Sequence, residues 1–303
     1  PLLIKSLIRQ VKYQYLIDID SIPPMLQNLE EYIETDQNIV EKSILHSLLA
    51  ELYQMYFNTQ QYKINRRTPI TGYVPRNMAE WTGNIYREKI FQHALDAVKA
   101  RPQLSEVNCL TYKEILVLGK NSPALRPTMY DFLVYRSIDI LNTISRYNKQ
   151  EPITNKQLLF APVKEFVQMP IEVKKMDAYS NTLKLYQSLL QSEVAAERTD
   201  AILISDLDRL EYANNIIGLS QNDSLYIQSL EQLSQQYSKN PYKVEILYKL
   251  AQYYYQGNYI SSNRDPQKAL DICNNGIRQF PKYFRIDVLK QLAKEITNGQ
   301  ARE

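Results

Sequence analysis

Two runs near the end of the chain decide the fold: Lys243-Val-Glu-Ile-Leu-Tyr-Lys-Leu-Ala-Gln-Tyr-Tyr-Tyr-Gln256, and Pro266-Gln-Lys-Ala-Leu-Asp-Ile-Cys-Asn-Asn-Gly-Ile-Arg-Gln279 with Phe280 and Pro281 behind it. Leu247, Leu250, Ala251 and Tyr254 recur at helical spacing in the first run, and Ala269 lies in the second. Large and small apolar residues placed this way let two helices nest. Pro281 then closes the second helix, because proline cannot continue one. The pattern predicts an all-α fold built from antiparallel helix pairs.

Working outward, helices are expected at about Ala178 to Ala195, Asp200 to Asn215, Ser224 to Ser238 and Arg285 to Thr297, besides the two runs above. Toward the other end, Leu3, Ile4, Leu7, Ile8, Val11 and Tyr15 line one face of an amphipathic helix from Leu2 to Ile19, with Lys5, Arg9 and Lys12 opposite. Ser21, Pro23 and Pro24 signal the start of a second helix carrying Leu26, Leu29 and Ile33. In a third, Ile44, Leu45, Leu48, Leu49, Leu52, Tyr53 and Tyr56 form a stripe wide enough to be packed between neighbours. A further helix is expected from Ile85 to Ala100, stopped by Pro102, and another begins at Pro127. The weakly patterned stretch Lys149 to Met176, punctuated by Pro152, Pro162 and Pro170, is the expected boundary between an irregular helical array (1–150) and a second array (151–303) continuous with it.

Composition narrows the functional classes. Seven glycines and 14 prolines in 303 residues are too few for a protein of many tight turns. The 24 tyrosines suit half-buried helix seams, where the ring packs and the hydroxyl stays wet. A net charge of +3, from 36 basic and 33 acidic residues spread along the chain, gives no footprint for nucleic acid. No run of roughly 20 apolar residues is present, so no membrane span is expected. The chain opens on Pro1 and enters an amphipathic helix at once. That predicts an excised or processed piece, from which any export signal or lipid anchor has been lost.

Catalytic constellations are missing from the sequence. Only His46 and His93 are available to histidine chemistry, and each sits among apolar helical positions, which predicts hydrogen-bonded, partly buried residues and no metal site. Asp18 with Asp20, and Asp206 with Asp208, lack the glycine and terminal glutamate of a calcium loop and are expected at the polar edges of helix ends. Cys109 and Cys273 fit no metal or redox spacing and are expected as separate packed thiols, the alternative being a bridge between them in an oxidising compartment. No phosphate loop, dinucleotide fingerprint or nucleophile elbow occurs. An enzyme is therefore not expected, nor any cofactor. One segment stands out: from Lys63 to Gly83 the periodicity fails, and Arg66, Arg67 and Arg76 mix with Tyr62, Tyr73 and Trp81. Arginine with aromatic residues is the composition of interface hot spots. This connection either packs on its own helices or docks another domain or protein, and Arg66, Arg67, Arg76 and Trp81 are the candidate docking residues.

The C-terminal pair resembles a tetratricopeptide unit, with Leu247 in place of the usual tryptophan and Cys273 in place of a ring. Pro241 and Pro281 lie forty residues apart. The tetratricopeptide period is about 34, so the connection holding Asn258 to Asp265 is expected to be roughly six residues longer than standard. A wider resemblance is carried by Ile44-Leu-His-Ser-Leu-Leu-Ala-Glu-Leu-Tyr53, by Asn65-Arg-Arg-Thr-Pro69 running on to Trp81, and by Tyr112-Lys-Glu-Ile-Leu116 with Leu125-Arg-Pro-Thr-Met-Tyr-Asp-Phe-Leu133. In this order they are similar to the all-helical N-terminal region of large bacterial alpha-2-macroglobulin-like proteins. The resemblance implies an exported, periplasmic, outer-membrane-associated or extracellular protease inhibitor, in which this chain is a non-catalytic scaffold docking downstream domains of its parent or another protein. Such proteins often carry a thioester at a C-x-E-Q motif. Cys109 is followed by Leu-Thr-Tyr and Cys273 by Asn-Asn-Gly, so neither matches. The alternative resemblance is to SusD-like glycan-binding outer-membrane lipoproteins, for which Trp81 and Tyr253 to Tyr255 would be the sugar-stacking rings.

Overall fold

A computed structural model describes residues 2–146, 156–217, 223–257 and 264–300. The fold is all-α, and within each unit the helices pack on one another. Among the described residues no strand occurs, and the only extended pairing is an isolated bridge between Asn108 and Thr128. The chain divides into two compact units, Pro1–Glu151 with Glu172–Leu185, and Pro152–Ile171 with Tyr186–Glu303. Residues 172–185 thus belong with the first unit, although the expected boundary put them in the second. Pro1, Pro152 and the connection 258–263 lie outside the described residues.

The first unit contains α1 (Leu2–Ile17), α2 (Ile22–Thr35), α3 (Ile39–Asn65), α4 (Gly83–Asp96), α5 (Arg101–Glu106), α6 (Ser122–Leu125) and α7 (Met129–Ser145). Asn38 starts α3 by accepting from the backbone N–H groups of Val40 and Glu41, which would otherwise be orphaned in the first turn. At 27 residues α3 is about 40 Å long, and it packs against α2, α4 and α7. Being covered on several sides explains why Leu45, Leu49, Ala50, Tyr53 and Phe57 are all buried. Two proline expectations are corrected. Pro102 does not stop α4, which ends at Asp96; it occupies the first turn of α5, where its missing N–H costs nothing. Pro127 does not open α7 either. Thr128 is the N-cap, in a capping box with Asp131 that satisfies two backbone donors reciprocally.

The second unit contains α8 (Lys156–Leu159), α9 (Val163–Phe166), the latter part of α10 (Ala178–Ala195), α11 (Thr199–Ile217), α12 (Asp223–Gln236), α13 (Lys243–Gln256), α14 (Pro266–Gln279) and α15 (Asp287–Gln300). Helices α13, α14 and α15 pack on one another around Leu247, Ala251, Ala269, Cys273 and Leu289. Gly276 is what lets them approach: a Cβ there would stand 2.6 Å from Leu289 Cδ1 and 3.0 Å from Leu247 Cδ1. Gly257 ends α13 at φ +65°, a left-handed conformation that side chains disfavour. Asp265 caps α14 by accepting from Lys268 N at 2.9 Å.

The irregular stretch ahead of α10 is fastened by side chains. Arg209 is wholly buried; its Nε donates to Asp206 Oδ1 at 2.7 Å and its Nη2 to the Ala161 carbonyl at 3.0 Å, while Nη1 donates to the Leu159 carbonyl. The guanidinium lies 4.3 Å from the Phe166 ring centroid. Gln187 Nε2 donates to the carbonyls of Phe166 and Met169 at 2.8 and 2.7 Å. Buried carbonyls outside regular helix need such donors. Asp206 is accordingly no polar helix edge: it is buried in the middle of α11, facing Arg209.

Candidate functional site

Helix α3 persists to Asn65, two residues beyond where the periodicity was expected to fail, and a 3-10 turn at Met78–Glu80 leads into α4. Of the four candidate docking residues, the structure separates Arg66 and Arg76, which are exposed, from Trp81, which is 5% exposed. The Trp81 Nε1 donates to the Pro75 carbonyl at 2.8 Å, and its ring packs on Tyr53 and Tyr86 with centroids 5.8 and 5.6 Å apart. Arg67, half-buried, donates from Nη1 to the Trp81 carbonyl at 2.6 Å. Trp81 and Arg67 therefore pin the base of the connection to its own helices, and they are not presented to a partner. The rim is different. Tyr62, Ile70, Tyr73 and Val74 are 76%, 67%, 55% and 58% exposed, and Arg66 stacks on Tyr62 at 5.3 Å.

Beneath this connection, α2, α3 and α4 line a cleft of about 500 Å³. The only two histidines of the chain meet there: His46 Nδ1 and His93 Nδ1 are 2.8 Å apart. His93 Nε2 is 3.0 Å from Glu30 Oε1, which also receives Lys89 Nζ at 2.8 Å. Burial alone would raise the Glu30 carboxyl, but the hydrogen bonds from His93 and Lys89 outweigh it and hold the group at about 2. A carboxylate can only accept, so His93 Nε2 carries a proton, and in the neutral imidazole its Nδ1 is then the acceptor. Burial, then the His93 neighbour, pushes His46 down to about 4. Asp96, one turn beyond His93, receives Gln92 Nε2 at 3.0 Å on each oxygen and pairs with Lys99. Burial opposes ionisation of Asp96, yet the Lys99 and Gln92 hydrogen bonds hold its carboxyl below the usual range.

The sequence places both histidines as hydrogen-bonded, partly buried residues, and His93 is buried while His46 is half-buried. Their meeting was not legible, because 47 residues and an aperiodic connection separate them. One signal existed: His93 and Asp96 share a helix face at i, i+3. Tyr253, Tyr254 and Tyr255 are only partly exposed. Cys109 and Cys273 are both buried free thiols, each raised to about 11 by burial, with Asp131 adding to the effect at Cys109. Among the described residues no helix is long and apolar enough to cross a membrane. No protein-family model, no curated protein and no solved structure matches the chain.

Proposed function

We propose that this chain is a non-catalytic helical docking module, the helical N-terminal part of an exported alpha-2-macroglobulin-like protease inhibitor, and that its partner is the downstream portion of its own parent. The observation that carries this reading is the connection between α3 and α4. Its base is fixed by Trp81 and Arg67, while Tyr62, Ile70, Tyr73 and Val74 stand exposed beside Arg66. Aromatic and arginine side chains on a pre-ordered support lose little entropy on binding, which is how interface hot spots gain affinity. The glycan-binding alternative is weakened, since Trp81 is buried and offers no open ring face to a sugar.

The coding sequence beyond Glu303 is the first test. A series of β-sandwich domains there supports the reading, and a stop codon sinks it. Where those domains exist, Arg66→Ala with Tyr73→Ala is expected to weaken their association with this chain at least tenfold, as measured by titration calorimetry. The melting temperature should barely move, because exposed substitutions stay within about 0.5 kcal/mol. Unchanged association would overturn the assignment of this surface.

A further inference from the structure

We infer that His46, His93 and Asp96 form a binding site for one divalent transition-metal ion of the zinc type, open to the cleft between α2, α3 and α4. One ligand atom from each of the three lies within 4.8 Å of the others. Two imidazoles select against calcium and magnesium, which take oxygen ligands, and favour zinc and its first-row neighbours. The His93 Nδ1 lone pair faces His46, because Glu30 fixes the opposite nitrogen as the donor. A carboxylate behind a histidine is the usual outer support of a metal-bound imidazole: it sets the tautomer and raises the basicity. Gln92 supports Asp96 in the same way, by holding both of its oxygens.

The dimensions are suitable. An ion about 2.0 to 2.1 Å from each of two nitrogens at the tetrahedral angle keeps them about 3.3 Å apart. The two Nδ1 atoms stand at 2.8 Å, so the rings need separate by only a few tenths of an ångström. His46 is half-buried at the cleft wall and has room for this. Without an ion, His46 Nδ1–H donates to His93; with one, that proton leaves Nδ1, and a neutral His46 carries its proton on Nε2. Lys99, which pairs with Asp96, is 68% exposed and free to turn into solvent. Glu34 and Glu88 also line the cleft and favour a cation electrostatically, against the opposing charge of Lys89, which Glu30 holds in an ion pair. Three protein ligands leave the remaining position of a tetrahedral ion to water or an incoming group, as in open zinc sites.

The tag-free chain of residues 1–303 is titrated with Zn²⁺ by calorimetry and with Co²⁺ by visible absorption, on wild type and on His46→Ala, His93→Gln, Asp96→Asn and Glu30→Gln. Wild type is expected to bind one ion per chain, with cobalt bands of a low-coordinate nitrogen and oxygen site. Glu30→Gln, which keeps all three ligands, should lose 10- to 100-fold in affinity, the scale of an outer support. His46→Ala and Asp96→Asn alter side chains that are not fully buried, and should abolish the bands while helical circular dichroism is retained; they decide the matter if His93→Gln does not fold. Absence of binding to wild type, or equal binding by wild type and a folded His46→Ala, would mean that the cluster is a hydrogen-bond chain only and would overturn the proposal.

Discussion

Each unit buries a charged knot, and the two knots differ in one respect. In the second unit every nitrogen of Arg209 finds a fixed acceptor, in Asp206 or in the Leu159 and Ala161 carbonyls, and the side chain is sealed from solvent. In the first unit the line from Lys89 through Glu30 and His93 to His46 ends at a cleft. Both satisfy their polar groups. The sealed knot has nothing left to offer a ligand and serves to anchor the stretch before α10. The open one leaves the histidine pair and the Asp96 carboxylate at the cleft wall, so the same physics that stabilises one knot leaves the other available for chemistry.

The sharpest test of that contrast is Arg209→Ala. It leaves Asp206 buried without its counter-charge and frees two carbonyls, which should cost about 3 to 5 kcal/mol. The melting temperature of the second unit should fall by roughly 10 °C, at about 2 to 4 °C per kcal/mol. A shift of a degree or two would show that the clamp is not structural. Next in size is Trp81→Ala, which removes the ring packed on Tyr53 and Tyr86 and should destabilise the first unit by about 3 kcal/mol. Hydrogen exchange, with slow amides in α3 and α4 becoming fast, reads that loss; protection left intact would return Trp81 to the list of surface residues.

Acid should act on the open knot. Because the folded Glu30 pKa is depressed from 4.5 to about 2, its contribution is present above pH 4.5 and is lost as pH falls toward 2. With chelator present, the first unit should lose on the order of 2 kcal/mol across that window, once solvent screening is allowed for. Glu30→Gln should flatten the dependence, and an equally steep profile in that variant would assign the acid loss to other carboxylates. The smallest effect is expected at the cleft wall. His46→Ala removes one half-buried ring at the cleft wall and should cost about 1 kcal/mol or less, measured by denaturant midpoint. A loss comparable to Arg209→Ala would make the histidine pair a sealed structural knot after all.

Much of the helical framework was readable because its cause is local. The runs 178–195, 243–256 and 266–279 begin and end where apolar periodicity and Pro281 place them. What differs from the periodic pattern lies at helix ends and at residues whose partners are distant. Pro102 fits either side of a helix boundary and belongs to the start of α5, while Pro127 lies just ahead of α7, whose start is set by the capping box at Thr128. Asp206 looked like a helix-edge acid until Arg209 and the carbonyls near residue 160 closed around it. Trp81 looked available because an aperiodic segment gives no facing direction.

The sequence by itself determined the all-α class and the nested α13 and α14 pair, since these follow from spacing within a few turns of chain. Tertiary structure alone decided that His46 and His93 meet, that Glu30 fixes the proton between them and that Arg209 is sealed. Those outcomes depend on which faces of helices far apart in the chain come together, and helical periodicity records that a face is buried without recording what it is buried against.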